Sequence, residues 1–280
     1  MFGKLFKHDF KAILRYGIPM LIAIAVVGVV GTANYAFMTS LMARSITEQA
    51  GVGYALLSLV SIMLNFVVTL AFVAIPTVIQ VLILIDFYKS TASDEAYLTF
   101  TLPVTPTQVL SSKLLNSIIW SFIMFGASVL AGFAMYGIGE LTTEAMLGEF
   151  MVVEGTSLGI GDIPGIKLMI ALFILYAVVT IIVSQLLYFL AISFSSSISK
   201  KNKALSAIGF SVLANFVYGI INYIILIVSV IVGVFTGVVS ENPFLAINIA
   251  LGVMNIVSIG IGVLFFFLTR AILTKKLNLA

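Results

Sequence analysis

The chain has 280 residues, of which 61% are hydrophobic and 9% charged, with a formal net charge of +3. A soluble domain carries about 25% charged residues, and apolar runs of about 18 residues or more recur along this chain, so the composition excludes a water-soluble globular protein and places it in the membrane class. The absence of cysteine excludes disulfides, thiolate metal sites and a cysteine nucleophile, and no charge-rich stretch is long enough for a separate soluble domain of ~100 residues.

Residues 2–15 open the chain as an amphipathic helix. Phe2, Leu5, Phe6, Phe10, Ile13 and Leu14 fall on one face, and Lys4, Lys7, His8, Asp9, Lys11 and Arg15 on the other. Such a basic helix is expected to lie in the headgroup region against anionic lipid. His8 is the single histidine, and a metal site needs several convergent ligands. Span 1 follows at 18–42, with Gly28, Gly31 and Ala33 placed for close helix packing. Span 2 covers 54–85, longer than a ~30 Å hydrocarbon core requires, and Pro76 is its expected kink.

A cytoplasmic loop at 86–113 separates spans 2 and 3. Span 3 covers 114–138 and leads into an acidic outer segment at 139–167, containing Glu140, Glu144, Glu149, Glu154 and Asp162. Spans 4, 5 and 6 cover 168–197, 204–239 and 244–269. Lys200, Lys201 and Lys203 lie between spans 4 and 5, and Arg270, Lys275 and Lys276 follow span 6. Of the fourteen Lys and Arg residues, only Arg44 and Lys167 fall on the outer side of this arrangement. The excess of basic residues marks the cytoplasmic side. The expectation is therefore a single all-α transmembrane domain over 1–280, a polytopic membrane protein with six transmembrane helices and both termini cytoplasmic.

None of the six spans as drawn contains Asp, Glu, Lys, Arg or His. Proton relays and ion-coupled pumps keep such residues because they need them, so a proton-driven transporter, a charged channel and an intramembrane protease are disfavoured. Uncharged polar residues form stripes instead. Asn65, Thr69 and Gln80 share a face of span 2, and Ser211, Asn215, Tyr218 and Asn222 follow one another at helical spacing in span 5. Both sets are candidates for lining a pathway. Their alternative role is to hold helices together, at ~0.6 kcal/mol per hydrogen bond and at most ~2. No G-x-x-x-x-G-K-[ST] phosphate loop occurs in the chain, so no ATP or other cofactor is expected to bind here, and any ATP-driven work requires a partner.

The 86–113 loop carries two helix-start signals. Ser93, Asp94 and Glu95 offer N-cap oxygens and first-turn carboxylates for a helix over about 92–101 that bears Tyr97, Leu98 and Phe100 and stops before Pro103. Thr105-Pro106-Thr107-Gln108 is a capping box, with threonine at the N-cap, proline at N1 and glutamine at N3. The loop thus reads as two ordered pieces around a proline corner, and the alternatives are an interfacial elbow resting on lipid or a lever docked in a cytoplasmic partner.

The string Asp94-Glu95-Ala96-Tyr97-Leu98-Thr99-Phe100-Thr101-Leu102-Pro103-Val104, followed by Lys113-Leu114-Leu115, resembles the hallmark of ABC-2-type transporter permeases. That family places an acidic residue, a run ending in Leu-Pro-Val or Leu-Pro-Ser, and a lysine about ten residues later between spans 2 and 3. It also has six spans, cytoplasmic termini and an amphipathic helix before span 1. The resemblance implies a coupling helix that carries Asp94, Glu95, Tyr97, Leu98, Phe100, Leu102 and Pro103. It further implies a homo- or heterodimer of permeases, with ABC ATPase subunits holding ATP and magnesium beneath, and spans 2 and 5 facing the route. One departure stands out: the larger outer element here lies between spans 3 and 4, whereas many relatives carry it between spans 5 and 6.

The expected function is that of the permease subunit of an exporter in a bacterial cytoplasmic membrane. It would not itself be an enzyme, would have no nucleic-acid partner, and would move an amphipathic or hydrophobic substrate such as an antimicrobial peptide or antibiotic. The alternatives are a sodium-coupled secondary transporter and a non-transporting membrane scaffold or sensor.

Overall fold

The computed structural model describes residues 2–47, 52–91, 105–147, 165–198, 203–235 and 243–277. Those residues form six α-helices: α1 (Phe2–Thr47), α2 (Val52–Thr91), α3 (Pro106–Leu147), α4 (Ile166–Ile198), α5 (Lys203–Phe235) and α6 (Pro243–Leu277). Each contains a stretch long and apolar enough to cross a membrane, so the protein is all-α with the helices of a multi-pass membrane protein. In hydrocarbon every backbone N–H and C=O needs an internal partner, and a long helix supplies one along its whole length.

Several helices run past the ends that hydropathy alone suggests. The amphipathic start and span 1 are one uninterrupted helix, with Pro19 inside it. Proline removes a single backbone donor, and the surrounding apolar run carries the helix through. Pro76 likewise lies inside a continuous α2. The capping region of α3 and its span are also continuous, and α3 extends to Leu147, into the acidic segment expected at 139–167. The basic end after span 6 is the last part of α6.

The chain divides into two compact units. The first comprises Met1–Asp9, Leu84–Ile118 and Ser157–Ala280. In it α4, α5 and α6 pack against one another. Lipid tails give helices no hydrophobic reason to associate, so polar bonds and close packing hold them together. Asn248 and Asn255, seven residues apart on α6, donate their side-chain amides to the backbone carbonyls of Gly165 (3.1 Å) and Leu172 (3.2 Å) at the start of α4. Gly165 itself has φ of 85°, a left-handed conformation that suits glycine ahead of the first turn of α4. The Tyr218 hydroxyl meets Ser258 Oγ at 2.8 Å between α5 and α6, and the Ser195 and Ser206 hydroxyls meet between α4 and α5.

The second unit comprises Phe10–Ile83 and Ile119–Thr156. Its core is Ile13 and Ile24 of α1, Ile79 and Ile83 of α2, and Trp120 and Met124 of α3. Asn34 Nδ2 donates to the carbonyl of Ser61 at 3.0 Å, joining α1 to α2. The glycines of α1 permit close approach, as their spacing suggests: a Cβ at Gly28 would lie 3.1 Å from the Ala131 side chain, and one at Gly31 would lie 2.8 Å from Val68. Ala33, by contrast, is exposed.

Trp120, the only tryptophan, is fully buried and stacks on Phe10 with ring centroids 5.5 Å apart. Its six-membered ring lies over Gly17, where a Cβ would come within 2.2 Å of two ring carbons. Gly17→Ala is expected to lower stability by about 1–3 kcal/mol, the usual cost of overpacking, and to shift the single-tryptophan emission. Gly126→Ala, in open space on the same helix as Trp120, should leave emission unchanged and should not lower the unfolding temperature, since alanine is the better helix former.

Candidate functional site

The site is built from the ends of the helices that flank residues 92–104. The α2 end and the α3 start are both ordered by local chemistry. The Thr91 hydroxyl, buried, donates to the Phe87 carbonyl one turn back at 2.6 Å. At Thr105 the capping box forms in full. The Gln108 amide donates to Thr105 Oγ1 at 3.3 Å, the Thr105 amide donates to Gln108 Oε1 at 3.2 Å, and Pro106 occupies the first helical position. The two reciprocal bonds satisfy orphan donors that a helix N-terminus otherwise leaves to solvent.

Between these ends lies a buried ionic cluster. Lys113, two turns into α3, extends its ammonium to Asp86 Oδ2 of α2 at 2.5 Å and to Asp9 Oδ1 of α1 at 3.3 Å. The second oxygen of Asp9 accepts a bond from the Ser112 hydroxyl at 2.9 Å. The Lys113 and Asp9 side chains are 8% and 6% exposed, and that of Asp86 is 36% exposed. His8 Nδ1, on an exposed ring, lies 3.8 Å from Asp9. Removing a charge from water is costly unless it is paired and hydrogen-bonded. Lys113 uses its donors on two carboxylates, and Asp9 has a partner on each oxygen. Asp86 keeps access to water, which hydrates the charge left over when two carboxylates meet one ammonium.

An apolar cluster completes the site. Phe87 of α2 stacks flat on Phe189 of α4, with centroids 3.9 Å apart and planes 7° from parallel. Leu110 of α3, Ile192 of α4, Ala207 of α5 and Leu273 of α6 close around them. The ends of α2 and α3 are therefore held by charge to the start of α1 and by packing to α4, α5 and α6. Among the described residues, no three carboxylate or imidazole groups converge where a metal could sit.

The coupling residues expected from the sequence, Asp94, Glu95, Tyr97, Leu98, Phe100, Leu102 and Pro103, lie outside the described residues. The two pathway stripes lie in different units. In the second unit Asn65 Nδ2 reaches Met38 Sδ at 3.4 Å, Thr69 is exposed and bonds the Asn65 carbonyl, and Gln80 meets Ser121 at 3.5 Å. In the first unit Ser211 and Asn215 are half-buried and, among the described residues, bond to their own helix. Tyr218 is drawn onto α6 through Ser258, and Asn222 is buried with its amide on the Tyr218 carbonyl and its side-chain oxygen unpaired. Tyr218 thus joins two helices, whereas Ser211 and Asn215 stay on an open face.

The sequence reading missed Asp9 as a buried group. Its position on the polar face of the opening helix is correct, but that face turns one carboxylate inward. The signal was present, since Asp9 is the one acid among four cations and a histidine in residues 2–15. Asn34, Asn248 and Asn255 were likewise not singled out, although the latter two are spaced seven residues apart within an apolar run.

No family model, curated protein or solved structure matches this chain.

Replacing Lys113 by methionine leaves Asp9 buried without a counter-ion and is expected to cost about 3–5 kcal/mol. Asp86→Asn is expected to cost on the order of 1 kcal/mol, since that carboxylate already reaches water. Thermal unfolding in detergent reads both, and the ranking of the two variants is the decisive outcome.

Proposed function

We propose that this chain is the membrane subunit of an ATP-driven exporter of the ABC-2 type, residing in a bacterial cytoplasmic membrane with both termini inside. It works as a dimer with a second permease, above ABC ATPase subunits that hold ATP and magnesium. The observation that carries the reading is the position of Lys113. It is the lysine of the motif that resembles the ABC-2 hallmark, and it sits at the centre of the buried cluster that ties the flanks of residues 92–104 to α1. A segment that receives a push must transmit it into the spans, and a rigid base on both sides does that better than a slack one.

In this reading the 92–101 piece docks in the ATPase subunit through Tyr97, Leu98 and Phe100. Closure of the ATPase pair on ATP moves that piece, and α2 and α5 reorient around the dimer axis. The residues Asn65, Thr69, Gln80, Ser211, Asn215, Tyr218 and Asn222 offer an uncharged, mostly apolar route, which suits an amphipathic or hydrophobic cargo such as a peptide antibiotic. Charges in such a route are costly, so bare ions are poor substrates.

Co-expression with the neighbouring genes is expected to yield a complex with a phosphate-loop ATPase, and in vesicles the complex should move cargo with ATP. Transport that follows a sodium gradient and ignores ATP would overturn the reading, as would purification with no ATPase partner. Tyr97→Asp or Phe100→Asp should leave ATP hydrolysis but reduce transport by tenfold or so, the effect of losing ~1.4 kcal/mol of docking; unchanged coupling in both variants contradicts the docking role. A cysteine at Asn215 is expected to react with a water-soluble thiol reagent faster than one at Asn222, and equal protection of both in every nucleotide state would make the span 5 stripe a packing feature only.

A further inference from the structure

Within the first unit, α4, α5 and α6 line a partly open cavity of about 750 Å³, inside the roughly 300–1,000 Å³ of ligand pockets. Its deep wall is Leu187, Ala214 and Phe265, and its other end carries Ser197 and Lys275. Leu187 and Ser197 are ten residues apart on α4, about 15 Å along the helix axis. The cavity is thus long, hydrocarbon-lined and polar only at the end where α4 and α6 terminate. Lys275 is exposed and has no carboxylate partner among the described residues. Nor can its own bundle supply one, because α4, α5 and α6 contain no Asp or Glu. The Ser197 hydroxyl gives its proton to the Ser193 carbonyl at 3.1 Å, so its oxygen is left to accept a bond.

We propose that this cavity binds one anionic glycerophospholipid, with an acyl chain against Leu187, Ala214 and Phe265, the phosphate on Lys275 and a headgroup hydroxyl donating to Ser197. The anion that Lys275 lacks among the described residues comes from the bilayer. Basic pockets between transmembrane helices on the Lys- and Arg-rich side are where anionic headgroups are recognised. The site depends on the helices lying in a membrane and is independent of the exporter reading.

The test is native mass spectrometry of the full chain in neutral detergent, with equal amounts of phosphatidylglycerol and phosphatidylcholine bearing the same acyl chains. The expected result is one retained phosphatidylglycerol in about fivefold preference, the worth of one cation near an anionic lipid. Lys275→Ala should abolish the preference and Lys275→Arg should keep it. Lys167→Ala, a cation at the opposite end of α4, should not alter it. Ala214→Phe, which fills the cavity from a half-buried position, should remove the retained lipid whatever its headgroup. Equal retention of the two lipids overturns the proposal, as does a preference that survives Lys275→Ala or a retained lipid that survives Ala214→Phe. A second copy of the chain occupying the face in place of lipid also overturns it.

Discussion

One ammonium group between two carboxylates sets the terms for this structure. Lys113 is nearly removed from water, and its partners come from α1 and α2. A pair of this kind adds little net stability over apolar residues of the same shape, because desolvation offsets much of the attraction. Its value lies in specificity. An apolar contact tolerates sliding by a turn, whereas a buried lysine that misses its carboxylates is left unpaired at a cost of several kcal/mol. The cluster therefore fixes which turn of α3 faces which turn of α1 and α2. Around it, the flat Phe87–Phe189 stack and the leucines Leu110 and Leu273 add shape.

Elsewhere the same economy of polar groups recurs in milder form. The bundle of α4, α5 and α6 has no carboxylate and is joined by asparagine amides on backbone carbonyls and by paired hydroxyls. These bonds are individually modest, and the side-chain oxygens of Asn248 and Asn255 have no partner among the described residues. The second unit relies on close approach instead, with Gly17 beneath an indole and Gly28 and Gly31 against Ala131 and Val68. Polar ties in one unit and glycine contacts in the other answer one constraint: in lipid, burial alone does not drive helices together.

Much of this was legible in the sequence and some was not, for physical reasons. Six helices follow from apolar length, and the α3 start follows from Thr105-Pro106-Thr107-Gln108, because a capping box is a local structure with local causes. The close contacts of Gly28 and Gly31 follow from their small size. Helix ends were less legible: hydropathy stops at the first charge, while a helix continues wherever its backbone bonds do, as in α1 before span 1 and in α3 beyond span 3. The ionic cluster was not legible as a cluster. Asp9, Asp86 and Lys113 each sit just outside an apolar run, where a charge ordinarily meets solvent, and nothing local records that three such ends meet. For the same reason spacing alone leaves Tyr218 as either a pathway residue or a helix tie, and its bond to Ser258 joins it to α6.

The central claim is that the Lys113 cluster holds the start of α1 and the end of α2 in one arrangement. The chain is free of cysteine, so spin labels can be placed at His8→Cys and Lys89→Cys, two exposed positions on those ends, and their separation measured by pulsed electron resonance in lipid. The account predicts a single narrow distance that broadens markedly when Lys113→Met is added. A broad distribution in the parent protein, or one that Lys113→Met leaves unchanged, would contradict it.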